Sequence, residues 1–236
     1  MARTPARKTV RRAPVRKPVR KPPAKRAPVK KPPAKRTSGR MASPKTASTR
    51  WRAVRALSLP GGTSRCTGLV IDAQQQTQWC WAAVSNSVAH FYDPSSPWTQ
   101  CAVVNAEMSQ TACCTDGSSA ACNQPWYLDL ALMRVGCLQS VSAGTLPFAT
   151  VRSLLNVDTP PCARQVWAGG GAHFVAIVCC FRYQSGLMSG TTSAAPTSDR
   201  LQISDPWYGD SIVDYATFVS GYMGTGTWTH SYLTQA

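Results

Sequence analysis

The first 55 residues contain no aspartate or glutamate, and no lysine occurs after Lys45 in a chain of 236 residues. The absence of acids excludes a charge-balanced folded domain at the start. The chain has three histidines, no Cys-x-x-Cys pair and no His-x3-His, so the common zinc-ligand spacings are absent and no metal is expected. Long apolar runs are missing as well. The longest, "FVAIVCCF" over 174–181, is far too short to cross a bilayer. The basic start has no apolar h-region behind it, and neither does Arg11-Arg12, so a secretory or twin-arginine signal is not expected. A transit peptide would be amphipathic and serine-rich, unlike this proline-broken stretch.

What is present falls into two parts. Residues 1–55 hold 20 of the 26 Lys and Arg; the rest of the chain holds 6 against 10 acids, a net of −4. The pI of 9.8 therefore belongs to a tail. That tail repeats "APVRKPVRKPPAKR" as "APVKKPPAKR" and carries Trp51 as its only aromatic. Proline removes backbone donors and restricts the residue before it. The apolar surface is too small to offset the entropy of ordering. Residues 1–55 are expected to be a disordered basic tail that binds nucleic acid or other polyanions through phosphate neutralisation, and 56–65 a linker. The plain alternative is a solvated spacer.

Ten cysteines lie between Cys66 and Cys180. This density favours an oxidising destination, secretion or delivery to another cell. Cys101, Cys113, Cys114 and Cys122 sit in a Ser/Thr/Gly/Ala-rich stretch that reads as a stapled loop. Cys179 and Cys180 read as small core residues on a strand.

Helices are expected at "WCWAAVSNSVAHFY", apolar at 80, 84, 88 and 91 and stopped by Asp93-Pro94, and then at "TQCAVVNAEM", "YLDLALMRVG" and "FATVRSLLN". "CARQVWA", "HFVAIVCCFRY" and "RLQISDP" read as strands, followed by a short helix capped by Asp214 and a final strand "GTWTHSYLT". Helices first and strands second imply an α+β fold with two segregated halves and a site in the cleft between them.

Cys80 stands between Trp79 and Trp81 at a predicted helix start, where free N–H groups and the helix dipole stabilise a thiolate. A nucleophilic thiol needs a base, and the base needs an orienting group. His90 lies on the same helix, about 15 Å along its axis, out of reach. His230 falls in the last strand, where a half-exposed polar residue is ordinary. His173 follows "AGGGA" and opens an apolar strand; the next strand ends at Asp205. Antiparallel pairing of these two strands brings His173 and Asp205 together at one end.

These residues resemble the papain-like cysteine peptidases, and among them the compact bacterial branch that includes plant-pathogen effector proteases, over roughly residues 66–236. The segments that carry the resemblance are "Q-x5-C-W", "GGGAHFV" and "SDPW". The resemblance implies Cys80 as nucleophile, His173 as base, Asp205 as orienting group and Gln74, with Gln75 and Gln76 adjacent to it, as oxyanion-hole donor. Trp207 matches the tryptophan that shields the histidine, and Trp79, Trp81, Trp207 and Gly171 are expected along the substrate cleft. It further implies hydrolysis of protein or peptide substrates without a cofactor, and self-cleavage between about Leu59 and Thr63, in cis or in trans; a monomer is expected. The alternatives are a relative using the same groups for transpeptidation or amide transfer, and an inert papain-like fold carrying a nucleic-acid-binding tail.

The tail is expected to hold DNA without sequence preference, with affinity falling steeply as salt rises. Gel-shift titrations of the full chain and of a chain lacking residues 1–55 check this. Equal retention of DNA by both at low salt contradicts it.

Overall fold

The computed structural model of the protein describes residues 62–184 and 197–236. The basic tail, the linker up to residue 61 and the interior of the loop after His173 lie outside the described residues. Among those described, no helix is long and apolar enough to cross a membrane.

The chain runs β1 (Gly62–Cys66), α1 (Cys80–Tyr92), α2 (Gln100–Met108), α3 (Leu128–Arg134), β2 (Leu138–Ala143), α4 (Phe148–Asn156), β3 (Cys162–Trp167), β4 (Ala172–Gln184), β5 (Thr197–Ser204), β6 (Ser211–Asp214), α5 (Tyr215–Ser220) and β7 (Gly226–Thr234). The local signals act as expected in α1, where Val84 and Val88 are fully buried and Asp93, just before Pro94, is extended and closes the last turn onto Ala89 O at 2.8 Å. Thr99 caps α2 by accepting from Ala102 N, and Ser109 ends it in the left-handed region. Asp214 occupies the N-cap position of α5 but does not cap it; its carboxylate accepts from Arg200 Nε at 2.8 Å instead.

Among the described residues the strands are all antiparallel and form one seven-stranded sheet, in the order β2-β7-β3-β4-β5-β6 with β1 also pairing β4. β4 is the spine. Its first half pairs with β3, its second half with β1, and its other edge with β5. From Phe174 to Val178 successive β4 side chains alternate between two cores, as a strand buried on both faces requires, and the register shift against β5 after Ile177 brings Cys180 to the second core. Phe174, Ala176 and Val178 pack with α1, α2 and α3, whereas Val175, Ile177 and Cys180 pack with α4 and α5. The expected separation into a helical half and a sheet half is therefore incomplete, because helices cover both faces of one sheet.

Three strands carried no signal in the sequence. β2 is exposed along nearly its whole length, so it lacks an apolar alternation. β6 is four residues long. β1 falls in the Gly-rich junction and takes in residues 62–65 of the expected linker, with Gly62 opposite Tyr183 and Cys66 opposite Cys179. Gly62 is therefore strand and not irregular junction.

Of the cleavage expected at 59–63, residues 59–61 lie outside the described residues, and Gly62 and Thr63 pair with Tyr183 and Arg182 of β4.

Three disulfides form: Cys66–Cys179, Cys101–Cys114 and Cys113–Cys122. The loop at 101–122 is stapled as expected. Cys179 departs from expectation, since it faces Cys66 across the β1–β4 pair and is bonded to it, while its neighbour Cys180 packs in the core as a thiol. The bond closes a separation of 113 residues, so converting both cysteines to alanine should cost about 2–5 kcal/mol by the chain-entropy account. Chemical denaturation followed by tryptophan fluorescence checks this, and an unchanged midpoint contradicts it.

Candidate active site

The two tryptophans beside Cys80 are anchors. Trp79 is 1 % exposed and donates its indole N–H to Cys122 O at 2.9 Å; Trp81 is fully buried and donates to Gln124 O at 3.1 Å. Gln78 N donates to Asn123 Oδ1, and Asn123 Nδ2 donates back to Thr77 Oγ1, each at 2.9 Å. The disulfide-stapled loop therefore grips the segment entering α1 at four points and fixes where the helix starts. Burial this complete removes Trp79 and Trp81 from the expected substrate cleft. Trp207, 40 % exposed, and Gly171 remain at the surface.

The glycines before His173 make the β3–β4 turn. Gly170 and Gly171 both have positive φ, +88° and +86°, which side chains with a Cβ rarely adopt. Trp167 N donates to Gly171 O across this turn at 3.2 Å. His173 is thereby seated at the head of β4, opposite Gln165. On the other edge of β4, Ser204 pairs with Ala176, so Asp205 leaves β5 beside His173. His173 Nε2 lies 2.7 Å from Asp205 Oδ1. The ring also hydrogen-bonds Cys80, which leaves its Nδ1 for the sulfur.

Asp205 is held by more than the histidine. Its Oδ1 also accepts from Trp207 N at 2.7 Å and Tyr208 N at 2.9 Å, and its Oδ2 accepts from the Tyr222 hydroxyl at 2.8 Å. All three members of the array are buried: Cys80 8 %, His173 5 % and Asp205 3 % exposed. Burial opposes charge on both partners, but their mutual contact wins. Desolvation pulls the His173 pKa down, and the hydrogen bonds and charges of Asp205 and Cys80 lift it to about 9. Desolvation pushes Asp205 up, and the imidazolium together with the two turn N–H groups brings it below its usual value. His173 and Asp205 thus form an ion pair at neutral pH.

The other thiols outside disulfides lack such a partner chemistry. Burial pushes Cys162 up to about 12 and Cys180 up to about 11, and Cys137 upward as well, its thiol turned to Val135 O. His90 bonds Ser96 O and His230 bonds Thr229 Oγ1.

Gln74 joins the site through its backbone, donating to Pro206 O at 2.9 Å in the turn that carries Asp205. Buried Gln100 braces the same segment through Gln75 N and Ala73 O. The Gln74 amide Nε2 donates to Gln76 O at 2.6 Å. An amide nitrogen carries two N–H groups, so one remains. Residues 75 and 76 take part through their backbones, Gln75 N donating to Gln100 Oε1 and Gln76 O accepting from Gln74.

Sequence reasoning missed the aromatic enclosure. Trp167 stacks on the His173 ring at 6.1 Å, and Tyr208 meets it edge-on at 6.0 Å. Trp167 had been legible only as the end of a strand. No protein-family model matches the chain, and no curated protein matches it.

Gly117 is buried against Trp79. A Cβ there would stand 2.6 Å from Trp79 Cη2 and 3.1 Å from Cys113 O. Gly117→Ala should therefore cost about 1–3 kcal/mol of stability by overpacking the anchor. Thermal unfolding measures it, and a variant as stable as the wild type shows that the loop gives way.

Proposed function

We propose that the chain is a papain-like cysteine peptidase acting through Cys80, His173 and Asp205. The single observation that carries this reading is the His173 ring bridging the Cys80 sulfur and the Asp205 carboxylate in a buried array at a helix start. A structural histidine has no use for a thiol on one nitrogen and an ionised carboxylate on the other, whereas nucleophilic catalysis needs both.

In this reading the thiol proton already rests on His173 Nδ1 at neutral pH, and the thiolate–imidazolium pair is sustained by Asp205. The Cys80 sulfur attacks a peptide carbonyl and forms a C–S bond as the carbonyl oxygen gains negative charge. The second N–H of Gln74 Nε2 and the Cys80 backbone N–H receive that charge. Such a donor contributes roughly 2.7–4 kcal/mol to the transition state. The imidazolium then protonates the departing amine, and water, deprotonated by His173, releases the acyl group. Because His173 holds its proton up to about pH 9 and Asp205 ionises below the usual carboxylate value, the pair spans the whole neutral range. It is lost as pH rises through about 9, when His173 deprotonates, and at the acid end when Asp205 protonates.

Hydrolysis of an unstructured protein substrate such as casein tests the roles. Cys80→Ala and His173→Ala should each reduce kcat/KM by at least about 10⁴ with folding preserved. Asp205→Asn keeps an Oδ1 for His173, Trp207 N and Tyr208 N, so it should lose only about ten- to a hundredfold, one hydrogen bond to a charged group. Unchanged hydrolysis in Cys80→Ala or His173→Ala contradicts the reading.

A further inference from the structure

We infer that Tyr222 is a positioning residue for the proposed reaction, fixing the Asp205 carboxylate through one face and the His173 ring through another. The inference rests on the peptidase reading above and extends it to a residue with no counterpart among the motifs that suggested it.

Two routes run from Tyr222 to the histidine. Its hydroxyl lies 2.8 Å from Asp205 Oδ2, the oxygen that His173 does not use. Its ring stacks on Trp167 at 6.4 Å and 17°, and Trp167 stacks in turn on His173 at 6.1 Å and 24°. Carboxylate, imidazole, indole and phenol therefore close a ring of contacts around the histidine.

The backbone around Tyr222 is shaped for this. Tyr222 is fully buried and pairs with Gly226 in a tight turn, donating to Gly226 O and accepting from Gly226 N at 2.7 Å. A Cβ on Gly226 would stand 2.8 Å from Tyr222 O and 2.9 Å from Trp167 Cζ3. Only glycine lets the turn and the indole approach this closely. Burial, followed by the charge of Asp205, raises the Tyr222 pKa well above the usual tyrosine value. The hydroxyl thus keeps its proton and serves Asp205 as a donor throughout the working pH range.

The consequence is electrostatic as well as geometric. The charged or titratable groups facing Asp205 are His173 from β4, with Cys80 behind it on α1; Tyr208 and Asp210 from the turn after β5; and Tyr222 from the turn after α5. Among these, Asp210 disfavours the carboxylate charge and Tyr222 favours it. Removing the donor should make Asp205 protonate at higher pH, so that the ion pair fails sooner as pH falls.

The test is the rate of Cys80 alkylation by iodoacetamide across about pH 4 to 9, read on the Cys80 peptide by mass spectrometry in the full chain. It requires no substrate. In the wild type, a thiolate held by imidazolium reacts well below the titration range of an ordinary thiol. Tyr222→Phe keeps the ring stack and should move the acid limb up by about one pH unit. Adding Tyr222→Phe to Asp205→Asn should shift nothing further, because the hydroxyl acts through the carboxylate; a merely structural tyrosine would give independent losses. A Tyr222→Phe profile that superimposes on the wild type, with normal thermal unfolding, overturns the inference and leaves the peptidase reading standing. A wild-type Cys80 that titrates like an ordinary thiol overturns both.

Discussion

A single buried carboxylate organises this molecule. Asp205 takes hydrogen bonds from His173, from the backbone of Trp207 and Tyr208, and from Tyr222. Each comes from a different constraint: the head of β4, the turn that ends β5, and the turn after α5. A charge this deep is costly unless its lone pairs are filled. The sheet register between β4 and β5 and the tight turn at Gly226 are what fill them. The histidine is oriented by the same bonds that make the carboxylate tolerable.

The thiol is placed by a separate device. The loop closed by Cys101–Cys114 and Cys113–Cys122 holds the indoles of Trp79 and Trp81 through backbone carbonyls and leaves no freedom at the start of α1. The cysteine pattern and the unusual Trp-Cys-Trp segment are thus parts of one arrangement. Disulfides compensate for the weak intrinsic order of a loop rich in serine, threonine, glycine and alanine. Both devices converge on the gap between α1 and the sheet, where the reading of the chain as a peptidase needs the sulfur and the imidazole to meet.

Much of this is legible in the sequence. Helix α1 announced itself by period and by Asp93-Pro94, and the His173–Asp205 contact followed from two apolar strands joined as a hairpin, since antiparallel pairing sets the first residue of one beside the last of the other. What stayed hidden has physical reasons. β2 shows no alternation because it buries almost nothing, and β1 because its first residue is a glycine in a junction. The partner of Cys179 depends on a register set by residues more than a hundred positions away. Trp79 and Trp81 read as cleft residues because sequence shows an aromatic but not which way it faces. Tyr222 lies 17 residues beyond Asp205 with a helix between them, a separation that no local pattern bridges.

The central claim is that Cys80 is a nucleophile made so by His173. Covalent labelling of the full chain with an epoxide directed at cysteine peptidases tests it most directly, with the modified peptide located by mass spectrometry. The account predicts one label per chain, on Cys80, and its loss in His173→Ala although the thiol remains. A label found on Cys137, Cys162 or Cys180, or labelling of Cys80 at the same rate with and without the His173 imidazole, would contradict it.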